Sequence, residues 1–194
     1  MSSAVGLLLA AGAGRRMGGP KALLRDEVGA PFVARAVGVL LDGGCDSVLV
    51  VTGAASDAVT GVLDETGWND DPAVSVVEAA DWDEGMGASL RAGLAAARSE
   101  GADAAVVSLV DLPDVGPDVV RRVLREVGGG SFVLGRTTYG GSPGHPVVIG
   151  RDHWAGVIAS ATGDRGARDY LESHPPVLVE CGDLATGEDL DTPH

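Results

Sequence analysis

The chain has 194 residues, is 45% apolar and carries a formal net charge of −14. That length and apolar share fit one domain with a sizeable core and exclude a disordered or fibrous chain. The acidic balance argues against a broad nucleic-acid or anionic-membrane surface, and no apolar run reaches the roughly 18 residues a membrane span needs.

Gly6 to Ala10 is a continuous apolar run closed by glycine, the pattern of a buried central strand. No basic segment precedes it, so a strand fits better than a signal peptide. Pro31 to Leu41 has apolar residues at helical spacing, and Asp42-Gly43-Gly44 ends the pattern. Ser47 to Val51 predicts a second strand, and Ser56 to Glu65 a helix capped by Ser56. Val74 to Val77 predicts a third strand, followed by an Ala- and Leu-rich helix from Met86 to Arg98. Ala104 to Leu109 is a fourth apolar strand, and Pro117 to Val127 a helix with proline at its start and glycines beyond its end. Ser131 to Leu134 and Pro146 to Ile149 read as strands, with Tyr139 to Gly144 a mobile-looking loop between them. A short helix over Arg165 to Ser173 and a strand over Val177 to Glu180 complete the chain.

Apolar strands alternating with amphipathic helices predict a single α/β domain over residues 1–194, its mostly parallel sheet covered on both faces. Ligands bind such sheets beyond the carboxyl ends of the strands, so residues that follow strand ends are the candidates. After the first strand comes Leu9-Ala10-Ala11-Gly12-Ala13-Gly14-Arg15-Arg16-Met17-Gly18-Gly19-Pro20-Lys21. Small residues let backbone N–H groups approach a polyphosphate, and Arg15, Arg16 and Lys21 put cations at the same place. Lys21 is the only lysine of the chain, and a compact, rotatable charge suits phosphate. A Walker loop is excluded because Lys21 lies between Pro20 and Ala22. A dinucleotide fingerprint is disfavoured because Pro20 interrupts the helix and Val51-Thr52-Gly53 brings no acid after the second strand.

Asp111-Leu112-Pro113 follows the fourth strand, where a carboxylate projects over the same end of the sheet. A hard oxygen ligand there suits Mg²⁺; the structural alternative is a cap on the next helix. Cys45 and Cys181 are too few for a disulfide framework, so a reducing, cytoplasmic setting is expected.

The run from Leu9 to Lys21 resembles the signature of the MobA-like nucleotidyltransferases, and is similar to the molybdenum cofactor cytidylyltransferase branch of that family. The resemblance continues in motif order to Pro193, although the usual continuation after that proline is missing. It implies a Rossmann-like three-layer sandwich of the nucleotide-diphospho-sugar transferase type. It also implies transfer of CMP from CTP to a phosphorylated acceptor, molybdopterin, with release of pyrophosphate; the preference for CTP rests on Ala11. Leu9, Ala10, Ala11, Gly12, Gly14, Arg15, Arg16 and Lys21 would hold the triphosphate, and Ser89, in Gly85-Met86-Gly87-Ala88-Ser89-Leu90-Arg91, the base or ribose. Arg16, Lys21 and Asp111 would be catalytic, with Mg²⁺ on Asp111 and Asp191, or Asp189 in its place. His145, in Gly144-His145-Pro146, and Asp164 and Arg168, in Gly163 to Arg168, would bind the acceptor. A transient contact with a molybdoenzyme or its chaperone would follow. Other acceptors stay open: a sugar phosphate, methylerythritol phosphate or phospholactate, with guanylyl transfer also possible. From other classes, a dinucleotide-dependent oxidoreductase and a non-catalytic nucleotide-binding protein remain.

Overall fold

The computed structural model describes residues 3–14 and 18–190. The strands are β1 (Ala4–Leu9), β2 (Ser47–Thr52), β3 (Val74–Glu78), β4 (Ala104–Leu109), β5 (Leu134–Tyr139), β6 (Ser142–Gly150) and β7 (Val177–Glu180). The helices are α1 (Phe32–Asp42), α2 (Ser56–Glu65), α3 (Met86–Ala97), α4 (Pro117–Val127), α5 (Arg151–Ser160) and α6 (Arg168–Ser173). They form one seven-stranded sheet in the order β3-β2-β1-β4-β6-β5-β7. β3, β2, β1 and β4 pair in parallel, as do β5 and β7; β6 alone runs against its neighbours.

Alternation along the central strands divides the apolar residues into two layers. Leu8, Val48, Val50 and Val106 face one layer with Val33, Val37 and Leu40 of α1, Val59 and Leu63 of α2, and Val119, Val120 and Val123 of α4. Leu7, Leu9, Leu49 and Val107 face the other, with Leu90 and Leu94 of α3, Trp154 and Val157 of α5, and Leu171 of α6. Each fully buried Leu, Val or Ile contributes about 1.5–3 kcal/mol relative to exposure, so both helical layers are held on mainly by this burial. The expected three-layer sandwich is therefore present.

Four local expectations change. Ser56 does not cap α2: Ala55 takes the cap position without a side-chain bond, and Ser56 Oγ lies 2.9 Å from Thr52 Oγ1 instead. Tyr139 to Gly144 is no loose loop, and the strand placed at Ser131 to Leu134 begins only at Leu134. Tyr139 pairs with Ser142 across Gly140 and Gly141, whose φ angles are 56° and 82°. Positive φ at both central residues is the primed turn that matches strand twist, and glycine adopts it without steric cost. Glu180 ties the hairpin tip to β7, accepting the N–H groups of Gly140 and Gly141 at 2.8 and 3.0 Å and the Thr138 hydroxyl. The Thr138 hydroxyl and these N–H groups hold its carboxyl down at about 2. Finally, α5 forms where no helix was read, anchored by Trp154, whose indole N–H donates to the Ile149 carbonyl at 2.8 Å.

Candidate nucleotide-binding site

β1 and β4 lie side by side with Leu9 opposite Leu109, so the segments leaving them start at one level. This is where the strand order reverses, the switch point at which open α/β sheets bind ligands. Backbone bonds fasten the first segment to the neighbouring strand: Ala10 N–H donates to Val51 at 2.9 Å, and Ala54 N–H to Ala11 at 3.2 Å. Gly14 has φ 57°, and the Gly19 N–H closes back on its carbonyl at 3.2 Å. A Cβ on Gly14 would stand 1.7 Å from the Gly19 carbonyl oxygen, so the loop closes in this way only around glycine. Arg15 and Arg16 lie outside the described residues.

Lys21 opens a single 3-10 turn, Lys21–Leu23, and its Nζ donates to Asp111 Oδ2 at 2.6 Å. Their side chains are 21% and 13% exposed, enough for a ligand to reach and too little for water to screen the pair fully. Both line a cavity of about 540 Å³ whose wall includes Leu9 to Gly14, Ser89, Asp164 and Asp189. The structure thus brings together the first loop, the end of β4, the first turn of α3 and the segment before α6.

The far wall is built by close packing. Gly85, with φ 114°, precedes α3, and a Cβ there would meet Asp164 Oδ1 at 2.6 Å and the Gly163 carbonyl at 2.7–2.8 Å. Arg91 of α3 reaches across to the Ala161 carbonyl at 2.8 Å and to Glu84 at 2.6 Å. Ser89 of α3 is buried and lines the cavity. Trp82 and Asp83, on a 3-10 turn, also line the cavity. Sequence reasoning missed them because no periodicity or motif marks that turn; the nearby Gly85-Met86-Gly87 run was the available signal.

At the carboxyl end of the chain, Leu190 N–H donates to the Asp111 carbonyl at 3.1 Å, which lays Asp189 against the cavity. Asp191 lies outside the described residues. Among the described residues no group of three or more His, Cys, Asp or Glu could hold a metal. Asp111 with Asp189 offers two carboxylates, a donor set that suits a hard cation completed by phosphate and water oxygens.

The expected acceptor residues divide. Asp164 lines the nucleotide cavity, whereas Arg168 lines a second pocket of about 440 Å³ with Arg136, Pro143 and Leu178. His145 sits half-buried in β6 and lines neither. Burial, and then the Arg136 charge, push its pKa down to about 4, so the ring is neutral at pH 7. Its backbone carbonyl accepts the Tyr139 hydroxyl at 2.6 Å.

A glycine loop facing an acidic strand end over the switch point of such a sheet is the arrangement of a Rossmann-like nucleotide-binding enzyme. The chain belongs to the family of the MobA-like NTP transferase domain, which matches residues 6–177. It is 40% identical over 195 residues to the nicotine blue oxidoreductase of Paenarthrobacter nicotinovorans, covering 96% of this chain and 91% of that one. A nucleotidyl transferase from Methanothermobacter thermautotroptrophicus superposes with a TM-score of 0.79 at 23% identity, over 99% of this chain and 93% of the other. Rv0371c from Mycobacterium tuberculosis H37Rv, in complex with manganese, superposes with a TM-score of 0.69 at 28% identity, over 93% and 88% of the two chains. Among the described residues no helix is long and apolar enough to cross a membrane.

Proposed function

We propose that the protein transfers a nucleoside monophosphate from a nucleoside triphosphate, CTP by preference, to a phosphorylated acceptor such as molybdopterin. The observation that carries this reading is the 2.6 Å contact between Lys21, ending the loop after β1, and Asp111, two residues past β4. It supports the reading by putting an ammonium, a group suited to phosphate, and a carboxylate, a group suited to a cation, at one point of one cavity.

In this reading an acceptor phosphate oxygen attacks the α-phosphorus in line. The bond from the α-phosphorus to the bridging oxygen breaks, and pyrophosphate leaves. Little covalent work falls to the protein; positioning and electrostatics do most of it. Backbone N–H groups of Ala11 to Gly14 face the phosphates, Arg16 and Lys21 neutralise the leaving pyrophosphate, and Ser89 with Trp82 contacts the nucleoside. A divalent cation, Mg²⁺ in our reading, held by Asp111 with Asp189 or Asp191, would supply charge neutralisation at the α-phosphate. The manganese complex of Rv0371c supports a divalent ion in this family. His145, Asp164 and Arg168 are assigned to the acceptor side. A cytoplasmic setting, in which Cys45 and Cys181 stay free thiols, fits this chemistry.

One observation favours a second reading: the relative at 40% identity carries the name of an oxidoreductase. A nucleotide cavity of this kind can also hold a dinucleotide, and a hydride donor would then take the place of the triphosphate. A panel of CTP, GTP, NADH and NADPH, each with Mg²⁺, scored by melting temperature, separates the two. A ligand at about 100 times its Kd adds about 2.7 kcal/mol to stability. Stabilisation by CTP or GTP, lost in Lys21→Ala, supports nucleotidyl transfer; stabilisation by NADH or NADPH alone supports the second reading.

A further inference from the structure

We infer that Lys21 competes with a divalent cation for the Asp111 carboxylate, and that Asp111 opens to the ion when a triphosphate draws Lys21 away. The site then takes a metal–nucleotide complex in preference to the free ion. The inference rests on the nucleotidyl-transfer reading for the anion that draws Lys21 off, but the competition itself is tested without nucleotide.

The competition follows from the contact. Lys21 Nζ donates to Asp111 Oδ2 at 2.6 Å, and the two side chains are 21% and 13% exposed. Water screens so sheltered a pair poorly, so a divalent cation on the same carboxylate would stand against the full repulsion of the ammonium. Among the described residues lining the cavity, Asp83, Asp111, Asp164 and Asp189 are acidic and Lys21 alone is basic. Four carboxylates repel a triphosphate that comes without a cation. Of these charges only Lys21 can serve either side, as partner of Asp111 or as partner of phosphate.

The backbone on both sides of the contact is fixed. The Leu23 and Leu24 N–H groups close on the Pro20 and Lys21 carbonyls, each at 3.1 Å, and Ala22 between them is buried. The Asp111 carbonyl accepts the Leu190 N–H at 3.1 Å. A change of partner therefore falls to the flexible four-carbon stem of Lys21 and its compact, rotatable ammonium. That accounts for the residue type. Lys21 is the only lysine in a chain whose other long basic side chains are all arginines. Arginine grips a carboxylate with two parallel bonds and gives it up less readily. Arg122 does so in this chain, reaching the two oxygens of Asp183 at 2.5 and 2.8 Å.

Mn²⁺ binding to the full chain without nucleotide, counted from the electron paramagnetic resonance signal of the free ion, tests the competition. Lys21→Met is expected to bind Mn²⁺ about tenfold or more tightly than the wild type, because the competing charge is gone. The gain should vanish in the double variant that also carries Asp111→Asn, and Lys21→Arg should bind no better than the wild type. Lys21→Gln replaces Lys21→Met if the latter does not fold. Equal Mn²⁺ affinity in the wild type and the neutral variant, or a gain that survives Asp111→Asn, overturns the proposal. Melting temperatures of the wild type with CTP and with GTP report separately on the transfer reading. Stabilisation by nucleotide with no gain in Mn²⁺ affinity refutes the competition alone. A gain in Mn²⁺ affinity with no stabilisation by either nucleotide upholds the competition and refutes the transfer reading.

Discussion

Replacing Gly85 with alanine presses directly on the wall between the nucleotide cavity and the segment before α6. Gly85 holds φ at 114°, and an added Cβ would lie 2.6 Å from Asp164 Oδ1 and 2.7–2.8 Å from the Gly163 carbonyl group. The side-chain oxygen can swing away, but the Gly163 backbone is held by the packing of α3 against Ala161 and Thr162. With ψ at −171° this is backbone open essentially to glycine alone, so strain costs an alanine roughly 1–3 kcal/mol and overpacking about 1–3 kcal/mol. We therefore expect a loss of about 3 kcal/mol. At the 2–4 °C per kcal/mol typical of a domain this size, that is a melting temperature lower by about 6–12 °C. Gly61→Ala is the control. It lies inside α2 with nothing within 4 Å of its Cβ position, so alanine should stabilise by about 0.5–1 kcal/mol. Urea unfolding of both variants, with and without nucleotide, gives the comparison. A Gly85→Ala protein within about 0.5 kcal/mol of wild type would refute the packing argument.

Asp111→Asn keeps the size of the side chain but removes the charge facing Lys21; nucleotide turnover should fall by about 10² to 10³, measured as pyrophosphate release at varied Mg²⁺. His145, with its pKa pushed down to about 4, stabilises the fold fully above pH 6.5. As pH falls from 6.5 to 4 the unfolded chain takes up a proton that the folded ring refuses, so stability drops by up to about 1.4 kcal/mol per unit, and His145→Gln should remove that slope. Glu180 acts in a lower window, its contribution being lost as pH falls from about 4.5 towards 2. Burial, and then the Asp46 charge, push the Cys45 thiol up to about 12; it should resist a thiol reagent in the native protein and react on unfolding.

What could be read from the chain follows from range. Ala104–Leu109 and Pro117–Val127 were legible because apolar periodicity and proline placement are local signals. So was the pairing of the Lys21 loop with Asp111, since each follows a strand of unmistakable pattern. The β5–β6 hairpin was not, because its Gly140-Gly141 turn reads equally as loose chain until Glu180, some forty residues on, clamps it. Arg136 and Trp82 were also hidden: neither stands in a motif, and only the sheet order and the packing of α3 carry them to a cavity.

The central claim is tested most directly by pyrophosphate release from CTP and Mg²⁺ with molybdopterin as acceptor, comparing the wild type with Lys21→Ala. The account predicts stoichiometric release by the wild type and a loss of about 10² to 10³ in rate in the variant, with its fold intact. Equal rates in the two proteins, or NADPH oxidation by a wild type that releases no pyrophosphate from any triphosphate, would contradict it.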